Sequence, residues 1–101
     1  MPVLTLTVKH GRTLEAARAE LEKAVQEVQA RYATMVHRVE WTPDRNTVTI
    51  WGTGGIEVEL RVDAQDLHVK GDVPNLLGLL GSPLLLGLQG AVRQHFPALP
   101  R

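Results

Sequence analysis

The sequence predicts a single α+β domain in which an antiparallel five-stranded sheet carries two helices on one face. Segments that alternate between apolar and polar residues predict strands, and two stretches with apolar residues three and four positions apart predict helices. Their order along the chain is β-α-β-β-β-β-α, which favours an antiparallel sheet with both helices on one side. The 101 residues suit one core, so we expect one domain over 1–101 with a frayed tail at 98–101.

The first strand and the first helix have the clearest patterns. Residues 3–9 alternate leucine or valine with threonine or lysine, which predicts a strand with one apolar face. Thr13 is suited to cap the helix that follows over 14–32. The apolar face of that helix consists of Leu14, Ala17, Leu21, Ala24, Val25, Val28 and Tyr32. Its opposite face is charged, so we expect that face to contact water.

Four strands follow at 37–42, 47–52, 56–62 and 66–73, separated by turns rich in Pro, Gly, Asn and Asp. A slip of one residue would turn every apolar side chain to the wrong face, so the apolar positions predict how these strands pair. The predicted pairs are Trp41 with Val48, Val39 with Ile50, Ile50 with Val58, Leu60 with Val69 and Glu59 with Lys70, while Trp51 faces outward opposite Arg38 and Glu57.

The second helix is predicted to begin at Ser82 and Pro83, as N-cap and first helical residue. Its apolar arc consists of Leu84, Leu85, Leu88, Ala91, Val92, His95 and Phe96. Leu86 falls outside this arc, on the side expected to face water. His95 lies within the arc, where we expect a half-buried and hydrogen-bonded histidine. Gly87, Gly90 and Ala91 would allow a helix of a second copy to approach closely.

The charges and residue types exclude several classes of function. The formal net charge is zero and no two Lys or Arg residues are adjacent, whereas nucleic-acid binding needs a basic surface. The four histidines lack the spacing of a zinc site, and the chain has no cysteine. The sole serine, Ser82, is expected to cap a helix rather than act as a nucleophile. We therefore expect no enzymatic activity, no cofactor and no metal.

The expected location is the cytoplasm. The start of the chain lacks the basic and apolar regions of a signal peptide. The absence of cysteine is compatible with a reducing compartment.

The segment 73–92 carries no charge, and eight leucines lie between Leu76 and Leu88. The segment is long enough to span a membrane, but its prolines, glycines and polar residues argue against a span. A helix with apolar residues beyond one stripe has more surface than a single neighbour covers. We therefore predict an interaction surface that a second copy or a hydrophobic partner buries, made of Leu84, Leu85, Leu86, Leu88, Val92 and Phe96.

Trp51 is the aromatic residue that bears on function, and it has two interpretations. It is either a cross-strand lid on the stem of Arg38, or part of an interaction surface on the outer sheet face together with Thr5, Thr7, Thr47 and Thr49.

The chain resembles the polyhydroxyalkanoic acid system family, a family of small bacterial granule-associated region proteins. The resemblance lies in a short first strand, in the leucine-rich segment that leads into the last helix, and in four segments: Leu14-Glu15-Ala16-Ala17-Arg18, Arg38-Val39-Glu40-Trp41, Gly52-Thr53-Gly54-Gly55-Ile56 and Leu67-His68-Val69. It implies a cytoplasmic protein linked to polyester storage granules, without an established activity or known catalytic residues. The last helix departs from the family pattern, because leucine and glycine replace charged residues there.

Two hypotheses of function follow. The first is a non-catalytic interaction module, which uses the leucine-rich C-terminal region to form a homodimer or to dock on a hydrophobic surface such as a storage granule. The alternative is a small carrier that binds an acyl chain or another apolar ligand between the sheet and the C-terminal helix.

Overall fold

The computed structural model describes residues 3–72 and 83–97, and it confirms the predicted α+β class and element order. The elements are β1 (Val3–Lys9), α1 (Leu14–Arg31), β2 (Val36–Trp41), β3 (Thr47–Gly52), β4 (Ile56–Val62), β5 (Asp66–Asp72) and α2 (Pro83–His95). The predicted leucine-rich connection before α2, the Ser82 cap and the tail at 98–101 lie outside the described residues.

The five strands form one antiparallel sheet in the order β1-β5-β4-β3-β2. Each predicted pair is present, including Trp41 with Val48, Leu60 with Val69 and Glu59 with Lys70. β1 lies beside β5, where Leu6 is opposite Val69. The first two strands are therefore the two edges of the sheet, and α1 connects one edge to the other.

The turn at 53–55 is the glycine-rich hairpin turn that the sequence predicts. Gly54 and Gly55 have φ angles of 80° and 79°, which glycine adopts without a steric penalty. The turn places Ile56 opposite Gly52 at the start of β4.

Helix α1 begins at the predicted cap, where the Thr13 hydroxyl accepts a hydrogen bond from the Ala16 N–H at 3.1 Å. Its inner face packs on the sheet because the predicted apolar residues point there, and the fully buried members are Ala17, Leu21, Ala24, Val25 and Val28. They meet the inner side chains of β3, β4 and β5, which are Val48, Ile50, Ile56, Val58, Leu60, Val62 and Leu67.

Helix α2 packs against both the sheet and α1. Gly52 on β3 allows the Leu84 side chain to lie directly against the backbone, because a Cβ there would overlap that leucine. Gly87 has the same relation to the ring of Tyr32. The close approach predicted for a second copy is thus made at Gly87 by a side chain of the same protein.

Candidate functional site

The structure separates the residues of the predicted interaction surface. Leu84, Leu88, Val92 and Phe96 are buried in the core of a single chain, because the apolar arc of α2 faces the sheet and α1. Leu86 points away from that core and is 60% exposed. The Leu85 side chain lies outside the described part of the structure.

Trp51 lies on the opposite face of the sheet from the helices. Strand pairing places it between Arg38 and Glu57, as the sequence predicts. The Arg38 guanidinium stacks 5.1 Å from the centroid of the Trp51 ring, a cation–π contact that leaves the ring half-buried. Trp51 and Leu86 therefore belong to two different surfaces of the molecule.

Leu86 stands at the edge of a cleft between the two helices. The cleft has a volume of about 230 Å³, and its α1 side is formed by Glu27, Arg31 and Tyr32. On the α2 side, Gly90 leaves the backbone open, and Gly87 lies against the Tyr32 ring. This cleft is polar on one side and apolar at Leu86, so it is better suited to the edge of an interface than to an enclosed ligand.

An apolar groove lies on the other side of α2, above the strands β1, β5 and β4. Its volume is about 350 Å³. Its apolar lining consists of Leu6, Val58, Leu60, Val69, Gly71, Leu88 and Val92, and the polar residues at its rim are Thr5, Gln89 and Arg93. The groove exists because β1 is an edge strand that α2 does not cover, which leaves Leu6 51% exposed on the helical side of the sheet.

The sequence did not indicate that Leu6 belongs to a site. Its alternation with threonine predicts an inward side chain, and the pairing of Leu6 with Val69 agrees. The sequence pattern is silent on which strands lie at the edges of the sheet. The exposure of Leu6 is therefore a product of strand order.

A polar clasp of His95, Glu20 and Glu27 joins the two helices. The two ring nitrogens of His95 are hydrogen bonded to carboxylates of α1: Nδ1 lies 2.9 Å from Glu20 Oε2 and Nε2 lies 2.6 Å from Glu27 Oε2. Arg12 adds a hydrogen bond of 2.8 Å to the His95 carbonyl oxygen. This arrangement confirms the predicted half-buried, hydrogen-bonded histidine, and it leaves no ring nitrogen of His95 free for a substrate.

The electrostatics of the clasp favour a charged histidine. Burial lowers the pKa of His95, but the hydrogen bonds to Glu27 and Glu20 outweigh that effect and raise the pKa above its ordinary value. The same contact with His95 lowers the pKa of Glu20. Both shifts favour the charged forms of His95 and Glu20, as expected for an ion pair between the helices.

A second polar cluster lies at the turn between β4 and β5. Ligand atoms of Asp63, Asp66 and His68 lie within 4.8 Å of one another, a geometry in which a cation could bind. The carboxylate of Asp63 is occupied by the turn itself: it accepts the Gln65 and Asp66 N–H groups at 2.9 and 2.7 Å and contacts His68 Nε2 at 2.7 Å. These hydrogen bonds hold the pKa of Asp63 far below its usual range and identify the residue as the cap of a hairpin turn.

His10 anchors the end of β1 to that turn, a role that the sequence did not reveal. The ring is buried, and Nε2 donates to the Asp63 carbonyl oxygen at 2.8 Å while Nδ1 accepts the Arg12 N–H at 3.0 Å. The two partners fix the tautomer, because Nδ1 accepts and Nε2 donates.

These features define a small α+β protein whose candidate binding surfaces are apolar and whose grouped polar side chains are engaged in holding the fold. A family model described as "putative polyhydroxyalkanoic acid system protein" matches residues 4–96. The chain therefore belongs to this family, which confirms the resemblance seen in the sequence. No curated protein matches the chain. Among the described residues, no helix has the length and hydropathy needed to cross a membrane.

Proposed function

We propose that this protein is a non-catalytic interaction module that docks on the hydrophobic surface of polyhydroxyalkanoate granules through the outward face of α2. The observation that carries the proposal is Leu86, a large apolar side chain that remains 60% exposed on a helix whose other described leucines are buried. Membership of the polyhydroxyalkanoic acid system family supports the granule as the surface.

The outward face of α2 is easy to remove from water. The described residues next to Leu86 on this face include Gln89, Gly90 and Gln94. Arg93 is the one residue with a formal charge on this face in the described part of α2. By contrast, the outward face of α1 is rich in Lys, Arg and Glu. Burying charges costs far more than burying amides and glycine, so α2 is the helix suited to an apolar surface.

Leu86 by itself would give a weak, reversible attachment. Burial of one leucine contributes about 1.5–3 kcal/mol.

Granule sedimentation tests the proposal. Purified protein is mixed with native polyhydroxybutyrate granules, and the bound fraction is compared with that on hydrophilic agarose beads. We expect Leu86→Gln to weaken binding at least about tenfold, since the loss of one buried leucine corresponds to about one to two powers of ten in affinity. Binding equal to that of the unaltered protein, or no binding of the unaltered protein, would contradict the proposal.

A matched control separates position from hydrophobicity. Gln26 is exposed on α1, so Gln26→Leu combined with Leu86→Gln restores the number of leucines but places one on the charged helix. Granule binding should stay weak in this double variant. Recovery of binding would mean that any exposed leucine suffices.

The groove favours a second candidate function, a carrier of acyl chains. Its volume of about 350 Å³ falls within the roughly 300–1,000 Å³ of ligand pockets, and Arg93 at its rim could hold a carboxylate. A cavity of about 150 Å³ can hold benzene, so the groove could take a chain of about ten carbon atoms.

Filling the groove tests the carrier function. A Cβ at Gly71 would meet a Val58 methyl group at an ordinary 3.9 Å, so the first carbon of a side chain fits there and Gly71→Leu should project into the groove. We expect decanoate to bind the unaltered protein in native mass spectrometry and to be lost from Gly71→Leu but retained by Lys70→Leu, on the opposite face. If both variants retain decanoate, the carrier function is contradicted and the granule-docking proposal is unaffected.

A further inference from the structure

We infer that two copies of this protein associate through β1, whose free edge pairs in antiparallel fashion with β1 of the second copy and joins the two sheets. The inference goes beyond granule docking and uses a different surface. It is carried by the contrast between the two edges of the sheet and by the self-complementary sequence of β1.

The two edge strands differ in how they deter such pairing. β2 has an irregular register between Val36 and Arg38, which marks a bulge, and it carries an ion pair between Arg38 and Glu40. Bulges and edge charges are the usual means by which sheet edges avoid another chain. β2 is therefore a protected edge.

β1 has none of these protections along its described length. Its seven residues pair with β5 without interruption, from Val3 opposite Asp72 to Lys9 opposite Asp66. Lys9, at the end of the strand, is its only charged residue. In the described sheet β1 has β5 as its one neighbour, so the other side of its backbone is a row of N–H and C=O groups suited to a further strand.

The sequence of β1 suits pairing with itself. In an antiparallel pair centred on Leu6, position 5 lies opposite position 7, position 4 opposite position 8, and position 3 opposite position 9. Since opposite residues then share a face, leucine and valine meet on the helical side and threonine meets threonine on the other. The two Lys9 residues lie at opposite ends of the pair, so no like charges are opposed.

Pairing in this register would also bury Leu6. Leu6 lies on the helical side of the sheet yet is 51% exposed, because no described element covers the β1 edge. At the centre of the pair, each Leu6 would face its counterpart and lose contact with water. A two-fold contact of this kind uses the same patch on both copies and closes without further growth.

Single cysteines test the register, because the chain has no cysteine of its own. We expect Leu6→Cys to form a disulfide-linked dimer under mild oxidation, since directly opposite Cβ atoms lie within about 5.5 Å. Leu86→Cys and Thr49→Cys, on α2 and in the middle of the sheet, should form no disulfide-linked dimer. Cross-linking through position 86 instead of position 6 would assign the interface to α2 and overturn the inference.

Light scattering on the cysteine-free protein gives an independent measurement. The chain has a mass of 11.1 kDa, and at about 100 µM we expect roughly twice this mass if β1 pairs as inferred. Thr5→Lys with Thr7→Lys places lysine opposite lysine across the pair and should give monomers. Both threonines are exposed. Because Thr5 lies opposite Lys70 within the sheet, circular dichroism must show that the fold is intact before a monomer is assigned to the lost β1 pair.

The control adds the same charge elsewhere. Gln26→Lys with Gln29→Lys changes two exposed positions of α1 and should leave the dimer intact. A monomeric unaltered protein at every concentration, or dissociation by the α1 lysines to the same extent, would refute pairing through β1.

Discussion

Single residues with several polar contacts explain much of how the helices are held together. His95 is the clearest case, because its ring is hydrogen bonded to Glu20 and Glu27 of α1 while its carbonyl oxygen accepts from Arg12. The side chain of Arg12 also stacks 5.4 Å from the centroid of Phe96. The last turn of α2 is thus bound to α1 by charge as well as by apolar packing.

The His95 clasp predicts a stability that depends on pH. The pKa of His95 is raised in the folded protein, so its contribution to the free energy of unfolding is complete below the unfolded value of about 6.5. That contribution is lost as the pH rises through the raised folded pKa. The pKa of Glu20 is lowered, so its contribution is present above its ordinary value and is lost as the pH falls through the lowered folded pKa.

Urea unfolding from pH 5 to 9 measures this dependence. We expect the midpoint to fall as the pH rises above about 6.5, and His95→Gln to remove most of that fall. His37 is exposed on β2, so His37→Gln should keep it. An unchanged fall in His95→Gln would mean that another group titrates there.

At the scale of elements, α2 owes its position to small residues. Gly52 lets Leu84 reach the backbone of β3, and Gly87 receives the Tyr32 ring from the end of α1. Gly90, one turn further along the helix, has no atom within 4 Å of where its Cβ would lie. Two glycines of one helix therefore have different roles.

These two glycines give a matched pair of substitutions. Gly87→Ala should destabilise the protein by about 1–3 kcal/mol, because the new methyl group overlaps the Tyr32 ring. Gly90→Ala should stabilise it by up to about 1 kcal/mol through helix propensity. Urea midpoints measure both, and Tyr32→Ala should turn the effect of Gly87→Ala from loss to gain. Equal effects of the two alanines would show that Tyr32 does not pack on Gly87.

At the scale of the whole molecule, one core lies between the inner face of the sheet and the two helices. The outer face of the sheet has no described element over it, and polar cross-strand contacts cover it, such as Glu59 beside Lys70 and Arg38 over Trp51. On the helical side the inner side chains of β3 and β4 are buried, whereas the groove above β4, β5 and β1 leaves Leu6 exposed at the β1 edge. The uneven cover concentrates the exposed apolar surface on one side of the molecule.

Leu88 and Leu86 lie two positions apart on α2. Substitutions there distinguish a leucine that stabilises the fold from one that is proposed to bind granules. Leu88 is buried in the core, so Leu88→Ala should cost about 2–5 kcal/mol of unfolding free energy. Leu86→Ala should change it by no more than about 0.5 kcal/mol, since the side chain faces water. Thermal or urea unfolding distinguishes the two. A large loss from Leu86→Ala would show that a part of the protein covers this residue.

The alternation of residues in β2 to β5 and the spacing in α1 and α2 determined the class, the element order and the strand register, because neighbouring strands joined by short turns have few ways to pair. The same spacing placed Leu86 outside the apolar arc and His95 within it. These are local properties of the chain, and local patterns suffice to predict them.

Only the tertiary structure decided which apolar residues of α2 remain exposed and can contact a partner. The sequence could not count the neighbours of α2, so it grouped Leu84, Leu88, Val92 and Phe96 with Leu86, although the sheet and α1 together bury the first four. Nor could it place β1 at the edge beside β5, which exposes Leu6 and opens the groove. Both outcomes depend on contacts between residues far apart in the chain, and no local pattern encodes such distances.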